Sequence, residues 1–187
     1  MRRSQRLGIA AVPLTFAIGL VLSPLARAAL SNPADSHVSF QASGPAGMTI
    51  EGTTSDLTLE DKGDNIVLSV PLANLNTGIS LRDRHMKEKY LEVPKFPSAM
   101  LTVARSALKL PAAGDKVETD VPSSVTIHGQ TRPVTVHYEA KKDGASLFTK
   151  GKFHINMRDF GIAVPSYLGV TVKPDVDVTA NFRIAGS

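Results

Sequence analysis

The chain has 187 residues, 42% hydrophobic and 20% charged, with no cysteine, no tryptophan and a formal charge of +4. The missing thiols exclude disulfide staples, lipid attachment at a cysteine and thiolate metal ligands. Arg2, Arg3, Arg6 and Arg27 carry the whole excess, so residues 29–187 hold 17 basic beside 17 acidic side chains and show no net-charge footprint for nucleic acid or an anionic membrane.

Residues 1–28 read as a signal peptide. Arg2, Arg3 and Arg6 form a basic start, Leu7 to Leu22 is an uncharged and mainly apolar run, and Ala26-Arg27-Ala28 offers a cleavage site. A retained anchor is the competing reading, but the run is interrupted by Pro13 and falls short of the ~20 residues that span a bilayer. Cleavage after Ala28, export by the general secretory route and no stable membrane insertion thereafter are expected. The remaining residues 29–187 suffice for one domain with its own core.

That domain opens with period-two alternation. Val38, Phe40 and Ala42 alternate with polar residues, and Met48 and Ile50 resume the pattern after a Gly44-to-Gly47 turn. Leu57 and Leu59 follow, then Ile66, Leu68 and Val70, where Pro71 marks an edge or bulge.

From Asn76 to Ser98 the spacing turns helical, with Ile79, Met86, Tyr90 and Val93 on one face. A short α-helix over residues 80–91 is expected. Ser80 and Asp83 fit a capping box, and Pro94 and Pro97 end the element. Alternation then returns: Leu101 and Val103; Val117, Thr119 and Val121; Val125 and Ile127; Val134, Val136 and Tyr138. Leu147 to Met157 shares one face of a long strand, and Val176, Val178, Ala180, Phe182 and Ile184 face inward on the last. Eight or nine strands at hairpin spacing, without a βαβ rhythm, argue an all-β antiparallel sandwich or closed barrel, and alternation alone leaves both open.

Several motifs resemble the YceI family. Arg82-Asp83-Arg84-His85-Met86 with Tyr90, Leu91, Glu92 and the run Pro94 to Pro97 is similar to its central signature. Val125 to Gly129 with Thr131 to Val134 resembles its T-I-H-G-x-T-x-P-V hairpin, and Asn156 to Ile162 its N-R-x-D-F-G-I element, with Met157 inserted. Ser36 to Phe40 resembles its opening strand. The resemblance implies a periplasmic, lipocalin-like β-barrel of about eight strands that binds a polyisoprenoid or similar long-chain lipid inside. The chain departs from the family at Tyr90-Leu91, where paired phenylalanines are common, at Gln41 to Ser43, where a second histidine is usual, and at Gly52-Thr53-Thr54.

For the ligand lining, alternation and helical spacing nominate Phe40, Ile50, Leu68, Val70, Met86, Tyr90, Leu101, Val103, Tyr138, Phe153, Ile155 and Phe182. Such an aliphatic interior suits a flexible hydrocarbon or, equally, a dry filled core. Arg82, Asp83, His85, Arg158 and Asp159 are the rim candidates; they either tie the helix to the barrel or hold a head group. His128 reads as a turn residue bonded within its own loop. His37, His85, His128, His137 and His154 show none of the spacings of a metal or zincin site. Asp83 and His85, two apart on a helix, diverge by about 200° and make no acid–base pair. A binding protein without metal or cofactor is expected, not an enzyme. Its candidate partners are a polyisoprenoid, a quinone or a second copy of the chain in a homodimer. The alternative is a filled barrel acting through its surface in interaction or stress response, with a membrane redox partner.

Overall fold

Alternating residues become strands along almost the whole chain in the computed structural model, which describes residues 33–167 and 170–185. The expected signal segment lies outside these residues. One sheet is built from β1 (Ala34–Ser43), β2 (Thr49–Thr54), β3 (Thr58–Asp61), β4 (Asn65–Pro71), β5 (Ser98–Ala104), β6 (Lys116–Ile127), β7 (Gln130–Asp143), β8 (Ser146–Asn156) and β11 (Asp175–Ile184). A two-strand hairpin, β9 (Ser166–Tyr167) with β10 (Val170–Thr171), stands apart in a segment where no strand was expected.

The sheet order is β2-β1-β11-β8-β7-β6-β5-β4-β3, antiparallel throughout, so the first and last long strands pair with each other. This all-β sheet curls into a half-barrel with one short helix. Among the described residues its ladder does not run from β3 back to β2. The β2 edge is instead covered at one point, where Thr53 and Asn76 exchange two backbone hydrogen bonds of 2.9 Å. An edge blunted in this way is a poor template for a foreign strand.

The helix differs from the expected single element. An α-helical segment α1 (Ser80–His85) passes into a π-helical turn (Met86–Tyr90), closed by Leu91 N–H donating to the Met86 carbonyl at 2.8 Å. Such wide turns recur at functional sites, because they re-aim side chains. No capping box forms at Ser80. Asp83 reaches back instead to Thr77, whose amide and hydroxyl donate to its Oδ1 at 2.8 and 2.5 Å. The strand expected to run through Met157 ends at Asn156, where the Asn156 side chain accepts from Arg158 N–H and starts a 3-10 turn, Met157–Phe160.

Inward residues divide by height along the strands. Val103, Val121, Tyr138 and Ala140 form one packed cluster, and Val38, Leu57, Leu59, Ile66, Phe182 and Ile184 another. Together they pack one end of the half-barrel, with Val38 and Leu57 at the boundary of the open space beyond. The third cluster, around Phe160, Val125 and Ile155, lies toward the opposite end.

The β6–β7 turn needs left-handed backbone at both central residues, with φ of 53° at His128 and 72° at Gly129, the signature of a two-residue primed hairpin. A Cβ at Gly129 would also sit 2.8 Å from the Phe96 ring. Gly129→Ala should therefore cost about 1–3 kcal/mol, read as a lower urea midpoint. An unchanged midpoint would show that the turn and Phe96 relax freely.

Candidate functional site

Between the filled end and the helix the half-barrel encloses a cavity of about 680 Å³ with an almost wholly apolar lining. Its wall draws on strands from most of the sheet because the same alternation repeats on each. Phe40 comes from β1, Ile50 from β2, Leu68 and Val70 from β4, Leu101 from β5, and Phe153 and Ile155 from β8. Met86 and Tyr90 reach it from the π-helical turn.

Three nominated lining residues are elsewhere. Val103, Tyr138 and Phe182 face inward, but they lie farther along β5, β7 and β11 and belong to the clusters that fill the closed end. Alternation specifies which face a residue takes and not how far along the barrel it sits. Burial pushes the Tyr138 phenol up from its ordinary value, as befits a packing residue. Sequence reasoning missed Leu72 and Leu75, which reach the cavity from a 3-10 turn after β4, and the small hairpin segment carrying Pro165 and Val172. Neither segment shows a strand or helix period.

The rim candidates separate too. Arg82 and His85 line the cavity, and so does Lys89, which was not nominated. All three are basic, and among the described residues no carboxylate lines it. Arg82 also donates from Nε to Thr77 Oγ1 at 2.8 Å and from its guanidinium to the Thr77 carbonyl at 2.6 Å. Burial pushes the Asp83 carboxyl up, but the hydrogen bonds from Thr77, with Lys87 and Arg82 nearby, outweigh it and hold the group below its ordinary value. Asp83 and Arg82 thus lock the helix onto the turn that meets β2 at Asn76. Arg158 and Asp159 are exposed on the 3-10 turn and do not reach the cavity.

His128 does not serve its own loop. Its Nδ1 lies 3.2 Å from the Phe160 carbonyl, its Nε2 lies 2.9 Å from Glu92, and its ring stacks on Phe96 at 4.5 Å, tilted. Both nitrogens face acceptors, so only the doubly protonated ring donates to both. Hydrogen bonds from Lys95 and His128 hold the Glu92 carboxyl below its ordinary value. This node joins the post-helix loop, the β6–β7 hairpin and the 3-10 turn behind the cavity wall.

The outward histidines pair with acids across strands. His154 Nδ1 lies 2.9 Å from Asp177 and its Nε2 3.4 Å from Asp175; His137 Nδ1 lies 3.0 Å from Asp120. The bond to Asp177 raises His154 above its ordinary value, and the bond to Asp120 does so for His137. A raised folded-state value means stabilisation that is full below the unfolded pKa of about 6.5 and fades as pH rises through the raised one. His154→Ala should therefore lower the urea midpoint more near pH 5.5 than at about pH 9. An equal loss at both would mean that the pair adds nothing through charge. Among the described residues, no three His, Asp or Glu side chains gather as a metal site would require.

One antiparallel sheet curled around an apolar cavity, with a short helix in its wall, defines a calyx-like half-barrel suited to binding in its interior. The chain belongs to the YceI family: the YceI-like domain matches residues 31–184. It is 29% identical over 136 residues to a UPF0312 protein of Pseudomonas syringae pv. tomato, spanning 69% of this chain and 67% of that one. Against a UPF0312 protein of Pseudomonas fluorescens the identity is 30% over 135 residues, 68% of either chain. A polyisoprenoid binding domain from Saccharophagus degradans superposes with a TM-score of 0.69 at 17% identity, over 84% of this chain and 99% of its own. Burkholderia cenocepacia BcnA follows at 0.64 and 18%, over 79% and 95%. These structural likenesses concern the fold.

Proposed function

We propose that the chain binds a polyisoprenoid or similar long-chain amphiphilic lipid in this cavity, after export to the periplasm and removal of residues 1–28. The observation that carries the reading is an apolar space of about 680 Å³ whose charged lining groups, among the described residues, are all basic. At roughly 30 Å³ per water-sized group it has room for about twenty heavy atoms. Burying ten methylenes contributes about 8 kcal/mol, comparable with the cost of immobilising a ligand. Arg82, His85 and Lys89 suit a head group that is anionic or accepts hydrogen bonds, such as a phosphate or a quinone carbonyl. The protein acts passively, by burying the tail, and no bond is made or broken. The polyisoprenoid-binding name of the Saccharophagus domain supports the ligand class.

Native mass spectrometry of the exported protein, purified without detergent, tests the reading. A bound mass of several hundred daltons that extracts into organic solvent is the expected result. An empty protein that also takes up no added prenyl alcohol would move the function to the outer surface.

A further inference from the structure

Some of the residues that line the cavity are also in water. Ile79 and Leu81, at the start of the helix, are 53% and 51% exposed, and Met48, between β1 and β2, is 44% exposed. Side chains that both line a cavity and face solvent stand at its opening, and Met100 of β5, 38% exposed, is a fourth. Large apolar side chains grouped at an opening are unlike the scattered exposure of an ordinary surface. Met48 is held there by a compact loop: Gly44 N–H donates to its carbonyl at 2.6 Å and its own N–H to that of Pro45 at 3.1 Å. Its methyl packs so closely on Gly44 that a Cβ there would meet it at 2.5 Å.

The same helical segment is basic. It carries Arg82, Arg84, Lys87 and Lys89 against Asp83 and Glu88, with His85 besides. Asp83 is turned onto Thr77. Arg84 and Lys89 are exposed, and Lys87 is half-buried. The balance of charge over residues 29–187 therefore conceals a local excess of cations at the mouth. Exposed apolar side chains beside a cluster of Lys and Arg are what an interfacial helix presents to anionic lipid. A second copy fits less well, because a twofold contact sets this basic helix against its own image.

We infer that the mouth of the cavity, through Met48, Ile79 and Leu81 with Arg84 and Lys87 of the same helical segment, is a docking surface for an anionic phospholipid bilayer. Docking there turns the opening toward the membrane, so that a lipid passes between bilayer and cavity without crossing water. The transfer step rests on the lipid-binding reading; the docking does not.

The test is co-sedimentation of the exported protein with vesicles of equal phosphatidylglycerol and phosphatidylethanolamine, beside vesicles of phosphatidylcholine. Binding to the anionic vesicles that weakens with salt is expected, with little binding to the neutral ones. Arg84→Glu with Lys87→Glu should reduce it by at least about 25-fold, at roughly fivefold per cation lost. Neither residue lines the cavity, so uptake of a detergent-dispersed prenyl alcohol should not change. Failure to pellet, or equal pelleting of the double variant, overturns the proposal. So does a dimer in sedimentation equilibrium that buries this face and that vesicles do not compete away. If the protein docks but takes up no prenyl alcohol, docking stands and the cavity reading falls.

Discussion

Ala99→Trp and Ala180→Trp, made together, should lower affinity for a prenyl lipid by at least about 100-fold, or roughly 2.7 kcal/mol. Both alanines line the cavity, one from β5 and one from β11. Three strands, β6, β7 and β8, separate these two in the sheet. The two indoles add about eighteen heavy atoms, close to the room for about twenty at the packing used above. The lipid then loses most of its burial, at about 0.8 kcal/mol per methylene. Both alanines are half-buried and each also packs against a core cluster, so each added ring crowds some neighbours and should cost the fold about 1–3 kcal/mol. Circular dichroism and a thermal melt check the fold, and displacement of a fluorescent fatty probe reads the affinity. A folded double variant with unchanged affinity would place the lipid elsewhere.

What could be read in the sequence follows from what alternation encodes. The last strand shows this clearly: Val176, Phe182 and Ile184 are buried, as the pattern predicts, while Asp175 and Asp177 stay exposed. Repeated on each strand, the same rule nominated Phe40, Leu68 and Phe153, which share one cavity wall. It also nominated Tyr138 and Phe182, which plug the closed end, because a period of two carries no information about height in the barrel. Curvature and register decide that, and both depend on partners far away in the chain.

The helix was legible as an element and not as a device. Thr77 organises its attachment by holding Asp83 and Arg82 at once, yet a threonine ahead of a helix carries no distinguishing pattern. His128 meets Glu92 from 36 residues away, a pairing that no local spacing could suggest. The basic mouth was hidden in a neutral total, since summed charge says nothing about segregation. Only the helical segment's position at the cavity, with Arg84 and Lys87 on it and Ile79 and Leu81 exposed at its start, makes it visible.

Behind the cavity wall the largest stability effect should come from Phe160→Ala, about 3–5 kcal/mol. Phe160 is 1% exposed, among the most deeply buried side chains of the described residues, and it packs with Val125, Ile127, Ile155, Met157, Ile162 and Val176. Each of these six also lines the cavity, whereas Phe160 does not. The ring is therefore the buttress for a wall whose other side is unsupported without ligand. Truncating it leaves a void with empty space on both sides of those residues, and the wall can relax only by losing the cavity's shape. The Phe160 carbonyl is the acceptor for His128, so movement of the 3-10 turn also loosens the node that holds the post-helix loop. Urea denaturation should show the loss, and affinity for a prenyl lipid should fall with it, although Phe160 does not line the cavity. Phe148→Ala is the control: that ring is 46% exposed on β8, and its removal should change stability by no more than about 0.5 kcal/mol. If Phe160→Ala lost stability but bound lipid as well as before, the wall would not depend on its buttress, and the cavity's shape would have to be fixed by the strands alone.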